Sequence, residues 1–274
     1  MFRRGISGLW ISVLLLLTAL AWGLSARASS VDAVWPECSG ADVRADGRLE
    51  IDASHMDMGY IMARTTKATK RGLKLRVSRG ETQLNYDLNG GGDYETFPLQ
   101  MGSGKYEVSL FENVKGNKYS SEGKVSLDVK LSNENAAFLA PNQYVNYELW
   151  TSAVQKSDEL CADQPAQKVY EAVSKFMSTE FMYDFVRAKT IPSSALPEID
   201  YCYENRMGIC QDLAAVAVCM LRVQGVPAKL VIGYADDYYH AWCSVIMDGQ
   251  EVMFDPTHAL GAMNARTYTT EREY

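Results

Sequence analysis

The chain has 274 residues, 47% of them apolar and 22% charged, with a formal net charge of −7. That composition is ordinary for a globular protein, and the length suits one large domain or two ordinary ones. The balance is acidic and no long basic stripe is present, so no nucleic-acid partner is expected.

Residues 1–28 stand apart. Phe2-Arg3-Arg4 gives a positive start, residues 9–24 are apolar apart from Ser12, Thr18 and Gly23, and Ala26-Arg27-Ala28 is a small-x-small site. This is the layout of a secretory signal peptide, with cleavage expected after Ala28. The rival is an uncleaved membrane anchor, for which the apolar run falls short of a full span of about 20 residues. No cysteine lies near the run, so no lipid anchor is expected. Either way the chain from residue 29 onward is expected outside the cytoplasm, secreted or held at the membrane.

Residues 29–131 are expected to form a β-rich N-terminal domain. Leu73-Lys74-Leu75-Arg76-Val77, Tyr106-Glu107-Val108-Ser109-Leu110 and the run 125–131 alternate apolar with polar residues, the mark of strands with one buried face. Asn89-Gly90-Gly91-Gly92, Gly102-Ser103-Gly104 and Lys115-Gly116-Asn117 supply turns between them. Short strands at this spacing predict a small β-sandwich. Such a module serves either as a spacer packed on its neighbour, the plainer role, or as a docking module, for example to the cell wall or cell surface.

Residues 132–149 read as a connector, with loop-prone Ser132-Asn133-Glu134-Asn135 and Ala140-Pro141-Asn142. A second domain, residues 150–274, opens with two helical segments. In the second, Ala166, Val169, Val173, Phe176 and Met177 form a stripe with Pro165 at its start, a core-packing face. Residues 190–207, with Pro192, Pro197, Tyr201 and Tyr203, read as a loop leading into the most informative stretch.

In that stretch Gly208 precedes Cys210, and apolar residues recur after it at Leu213, Val216, Ala217, Met220 and Leu221. Cys210 therefore belongs in the first turn of a helix, where free N–H groups and the positive end of the dipole favour a thiolate. Cys219, nine residues on, points to nearly the opposite face and reads as an inert core cysteine. Asp212 is a first-turn acid that suits the dipole. Gly225-Val226-Pro227 ends the helix. A strand is expected at 229–234, a loop at 236–239 and a second strand at 240–247.

Asp248-Gly249 between two apolar runs signals a two-residue hairpin turn. Met247 then faces Gln250, and counting back sets His240 opposite Thr257. Asp255 shares the face of Thr257, so His240 and Asp255 become diagonal neighbours, their backbones roughly 7–8 Å apart. A carboxylate reaches an imidazole across that gap. His258 lies on the other face in this register, and Trp242 shares the face of His240. A thiol, an imidazole and a carboxylate in this order are the parts of a nucleophile, its base and the base's orienter.

The four blocks Gly208-Ile209-Cys210-Gln211-Asp212-Leu213-Ala214, Gly225-Val226-Pro227-Ala228-Lys229, His240-Ala241-Trp242 and Asp255-Pro256-Thr257 resemble, in order, the core of the transglutaminase-like superfamily. The resemblance covers the last quarter to third of the chain. Together with the β-sandwich-like N-terminal domain read from the alternation, this gives an α+β fold, and the resemblance implies that the second domain is a papain-like/transglutaminase-like α+β domain, with a helix carrying Cys210 and an antiparallel sheet carrying His240 and Asp255. It implies acyl transfer at amide bonds of proteins or peptides through a thioester, with Cys210, His240 and Asp255 as catalytic residues, and a peptidase before a deamidase or cross-linking enzyme. The oxyanion would be held by the Cys210 N–H and a side chain upstream, for which Tyr201 and Tyr203 are candidates. Gln211, where an aromatic residue often follows the nucleophile, and Cys243, where a polar residue is more usual, depart from common relatives. The alternative is a catalytically silent transglutaminase-like fold that binds proteins or the cell wall.

No cofactor and no metal are expected, since His55, His240 and His258 have no zinc-binding spacing and no calcium loop is evident. Export permits disulfides among Cys38, Cys161, Cys202, Cys210, Cys219 and Cys243, but their connectivity is not legible in the sequence.

Overall fold

Successive side chains of a strand point to opposite faces, and the first half of the chain uses this throughout. A computed structural model describes residues 33–192 and 194–274; the expected signal segment lies outside the described residues. The strands β1 (Val43–Asp46), β2 (Leu49–Asp52), β3 (Tyr60–Thr65) and β6 (Glu95–Pro98) form one antiparallel sheet, ordered β1-β2-β3-β6. The strands β4 (Leu73–Arg79), β5 (Thr82–Leu88), β7 (Gly104–Lys115) and β8 (Lys118–Val129) form a second, ordered β5-β4-β7-β8. Leu73, Leu75 and Val77 are buried on one face of β4, as are Tyr106, Val108 and Leu110 on β7. The inner faces share one apolar cluster, which joins Leu49, Ile51, Ile61 and Phe97 to Leu75, Val77, Val108 and Leu127. This is the sandwich-like arrangement that the alternation predicts. The sheets meet where the β1–β2 turn backs onto β8. Gly47 has φ +57 there, and a Cβ would collide with the Glu122 carbonyl, so the turn requires glycine.

Residues 132–149 connect the halves without a strand, yet they are not a solvated linker. A 3-10 turn covers Ala136–Phe138, and Ala136, Ala137, Phe138, Val145 and Tyr147 are buried. Their apolar side chains extend the same core cluster into the second half through Val145 and Tyr147. The chain from Val31 to Tyr274 forms one compact unit.

The second half begins with α1 (Ser152–Cys161) and α2 (Ala166–Glu180), the latter capped by Pro165 and burying Val169, Val173, Phe176 and Met177. Next come β9 (Met182–Tyr183), α3 (Arg187–Thr190), α4 (Ile199–Asn205), β10 (Met207–Gly208) and α5 (Cys210–Arg222). The 190–207 segment is therefore not all loop. Only Ile199 and Cys202 are buried in α4, too few to display a helical period in the sequence.

Helix α5 is buried from Asp212 to Arg222 on every side. Ala214, Ala215, Val218 and Cys219, which lie off the expected apolar stripe, are small or apolar too, so other elements close round the whole helix. It packs on α1, α2 and α4, on β11 (Ala228–Ala235) and on β12 (Tyr238–Met247). β13 (Gln250–Phe254), α6 (Pro256–Ala259) and β14 (Tyr268–Glu273) complete the chain, and the sheet runs β13-β12-β11-β14. Asp248 and Gly249 both have positive φ, 50° and 73°, as the expected turn needs, and Met247 pairs with Gln250. The ladder ends at Cys243 and Phe254. Beyond it the chain turns into α6, so the strand does not continue to set Thr257 opposite His240. Pro256 enforces the change, since it suits the first position of a helix.

All six cysteines are free. Among the described residues no helix is long and apolar enough to cross a membrane.

The two halves share one buried cation. The Arg222 guanidinium, fully enclosed, donates to the carbonyls of Ala140 in the connector (2.6 Å), Ala228 at the start of β11 (2.8 Å) and Tyr274 (2.8 Å). Burial pulls its pKa down to about 10, so it keeps its charge at neutral pH. Arg222→Leu strands three buried carbonyls, each at a cost of roughly 1 kcal/mol or more. Urea unfolding of this variant is expected to show a loss of about 3 kcal/mol or more. A loss below about 0.5 kcal/mol, the size of an ordinary surface change, would show that the contacts are incidental.

Candidate functional site

The first turn of α5 is built around a buried carboxylate. Asp212 is fully enclosed and accepts from the Ile209 N–H (3.2 Å), the Glu198 N–H (3.0 Å) and Arg187 Nε (3.2 Å). Burial pushes its pKa up, and these donors oppose the shift. Asp212 thus complements the helix dipole as expected, and it also ties α3 and the start of α4 to the helix that Cys210 opens. Gly208 is not in a left-handed conformation. A Cβ there would lie 2.6 Å from Cys202 Sγ and 2.9 Å from Asp212 Cβ, so crowding and not the turn requires glycine. Cys210 follows as the first helical residue, half-buried, with Ile209 as the cap.

His240 comes from the buried face of β12 and is 2% exposed. Its Nε2 meets Asp255 Oδ2 at 2.9 Å. The helix that Cys210 opens packs on β12, and Cys210 adds to the upward shift of the His240 pKa. Because Nε2 faces the carboxylate, Nδ1 is the nitrogen left for the thiol. The Trp242 ring stacks beside the imidazole, centroids 6.2 Å apart, as its place on the same face of β12 predicts.

Asp255 caps α6. Its Oδ1 accepts the N–H groups of Thr257 (2.9 Å) and His258 (3.1 Å), and its Oδ2 accepts from His240 and from the Tyr268 hydroxyl (2.8 Å). Burial alone would raise its pKa, but His240, Tyr268 and the helix N–H groups hold it below the usual carboxylate range. Burial likewise disfavours a charged His240, yet Asp255 and then Cys210 outweigh it and raise the His240 pKa to about 9. The imidazole is therefore predominantly protonated at neutral pH.

Two tyrosines escape the sequence reasoning. Tyr268 reaches Asp255 from β14, which pairs with β11 across a long loop. The run Thr267-Tyr268-Thr269-Thr270, rich in β-branched and aromatic residues, was the available strand signal. Tyr183 lies in register opposite Gly208, in a strand of only two residues. Its pKa rises to about 12, chiefly by burial and next by Cys210. The expected oxyanion candidates are engaged elsewhere. Tyr201 lies under the Arg187 guanidinium (4.6 Å), and Tyr203 packs with Phe176, Phe181 and Arg206. His258 is exposed; only its backbone N–H enters the site. Gln211 donates to the Ala195 carbonyl at 3.0 Å, and Cys243 is buried with its thiol on the Ala214 carbonyl. Burial pushes the Cys219 thiol up, in keeping with an inert core residue. Among the described residues no group of three or more His, Cys, Asp or Glu side chains is placed to hold a metal.

Residues 154–256 match the family model of the transglutaminase-like superfamily. The match contains Cys210, His240 and Asp255 and excludes β1–β8. No curated protein matches the chain. Among solved structures, a candidate cysteine protease of Cytophaga hutchinsonii is 14% identical, with 73% of this chain and 71% of that one covered and a TM-score of 0.38. LapG of Legionella pneumophila is 15% identical over 47% of this chain and 77% of its own, with a TM-score of 0.37. Red sea bream transglutaminase is 14% identical over 72% of this chain and 48% of its own, with a TM-score of 0.30.

The coupled charges give stability a pH dependence. The folded-state pKa of His240 lies above its unfolded value, so its contribution is fully present below about pH 6.5 and is lost as pH rises through about 9. Asp255 has the opposite sign: its contribution is present above its ordinary range and is lost as pH falls through its depressed value. Asp255→Asn removes the partner of both shifts. Urea unfolding between pH 6 and 10 should show the wild type losing stability across the His240 window and the variant losing less. Parallel curves would mean that the pair does not set the charge of His240.

Proposed function

We propose that the protein is an exported cysteine-dependent acyl-transfer enzyme that opens amide bonds of protein or peptide substrates, with water as acceptor. The observation that carries this is the buried pair of His240 Nε2 with Asp255 Oδ2 at 2.9 Å, on a strand packed against the helix that Cys210 opens. The four sequence blocks and the family match over 154–256 support it. The signal-like layout of residues 1–28 supports action outside the cytoplasm.

In this mechanism the Cys210 thiolate, paired with the His240 imidazolium, attacks the carbonyl carbon. The C–S bond forms while the carbonyl electron pair moves to oxygen. The Cys210 N–H, free at the first turn of α5, donates to that oxyanion. As the C–N bond breaks, His240 gives its proton to the departing amine. Asp255 holds the imidazole in place through both transfers. Water then attacks the thioester, His240 takes its proton, and the sulfur leaves with the acid product released. An amine in place of water would give cross-linking, and a glutamine side chain as donor would give deamidation.

The test uses unfolded dimethylcasein. New amino termini, released ammonia and incorporated dansylcadaverine separate the three outcomes. New termini are expected from the wild type, and at least about a 10³-fold loss in Cys210→Ala. Asp255→Asn is expected to lower kcat by about 10²-fold or more with KM little changed. If the wild type gives no product, and iodoacetamide labels Cys210 equally slowly in wild type and His240→Ala, the enzyme reading fails in favour of a binding protein.

A further inference from the structure

A groove of about 670 Å³ lies away from the Cys210–His240 pair, between the first sheet and the connector. Trp35, Tyr94 and Trp150 supply aromatic surface to it, and Trp150 is 74% exposed. Trp35 is braced edge-on by Tyr147, centroids 5.9 Å apart. Glu95 and Glu148 line it, and among the described residues no lysine, arginine or histidine does. Anionic ligands are thereby disfavoured and basic ones favoured.

Three further observations narrow the occupant. Glu95 and Thr96 belong to β6, the end strand of its sheet, so among the described residues one side of β6 carries no strand partner. Such an edge accepts an extended peptide through alternating N–H and C=O groups, which a sugar does not offer. Asn142, 3% exposed and also lining the groove, satisfies its Oδ1 with the N–H groups of Tyr144 and Val145, while its buried Nδ2 has no partner among the described residues. Finally, Leu196 lines the groove. The adjoining Ala195 carbonyl receives the hydrogen bond from Gln211, the residue after Cys210. The groove is thus one residue removed from a direct link to the nucleophile's helix.

We infer that this groove binds an extended, apolar and basic segment of the polypeptide substrate along the free edge of β6, remote from the bond that reacts. The inference deepens the acyl-transfer proposal and rests on it for the identity of the ligand as substrate.

The test separates the two. Calorimetric titration in low salt uses the full chain carrying Cys210→Ala, which binds without turnover. The probes are reduced, carboxamidomethylated lysozyme (unfolded and basic), the same protein after succinylation, and chitohexaose. The basic polypeptide is expected to bind, and the succinylated one at least about tenfold more weakly. Adding Trp150→Ala is expected to weaken binding about tenfold. The melting temperature should stay unchanged, because this side chain is mostly exposed. Glu148→Lys should weaken it as well. Equal binding with and without Trp150, or binding of chitohexaose alone, overturns the inference. Binding with the expected pattern in a protein whose wild type transfers no acyl group would leave the groove standing and remove the enzyme.

Discussion

A carboxylate with almost no access to water needs donors for both oxygens, and Asp255 finds four of them. Two are the N–H groups that a helix start always leaves free, one is the imidazole of His240, and one is the hydroxyl of Tyr268. These donors come from β12, α6 and β14, so a single side chain fixes where three elements end relative to one another. The hairpin ladder stops at Phe254 because the next residue must turn its carboxylate back toward β12 and cap the helix that Pro256 begins. The imidazole orientation is therefore a consequence of helix capping as much as of charge.

A second buried acid places the opposite partner. Asp212 holds the N-terminus of α5 against Arg187 and the N–H of Glu198, while the enclosed apolar body of the helix prevents it from rotating or sliding. At the far end Arg222 reaches the connector, β11 and Tyr274. Cys210 is thus presented from a helix anchored at both ends, and His240 from a strand anchored by Asp255. The helix and the strand pack on one another as two independently braced elements.

The parts legible in the sequence are those whose signals are local. Gly208 and the apolar period after Cys210 predict the helix start, and Asp248-Gly249 sets the register that brings His240 near Asp255. The extrapolation of that register past Phe254 fails at Pro256, which is itself a visible break. Tyr268 was not legible because β14 joins β11 from the far end of the domain, and pairing of that kind leaves no mark in a local pattern. Tyr183 belongs to a two-residue strand and α4 to seven residues, both too short for any period to emerge. Residues 132–149 read as a loop-prone connector because Ser132-Asn133-Glu134-Asn135 is polar. The apolar residues that follow it pack because the core cluster runs on from the sandwich through Val145 and Tyr147 toward the helices.

Under the proposed chemistry one imidazole has to act first as an acid and then as a base, and the origins of its charge account for the change. Burial lowers the His240 pKa, and both Asp255 and Cys210 raise it. While the sulfur is free, both partners act and the ring carries the proton that the leaving amine needs. Once the sulfur is acylated it can no longer present a negative charge or accept the proton, and the Cys210 contribution disappears. Burial then opposes Asp255 alone, so the pKa falls and the ring becomes better able to accept a proton from water. The Asp255 contribution cannot be lost in the same step, because its carboxylate is held by Tyr268 and by the helix N–H groups whatever the state of the sulfur. A weaker carboxylate anchor would let the ring turn when its proton leaves. A stronger one would keep it charged and stall the second half-reaction.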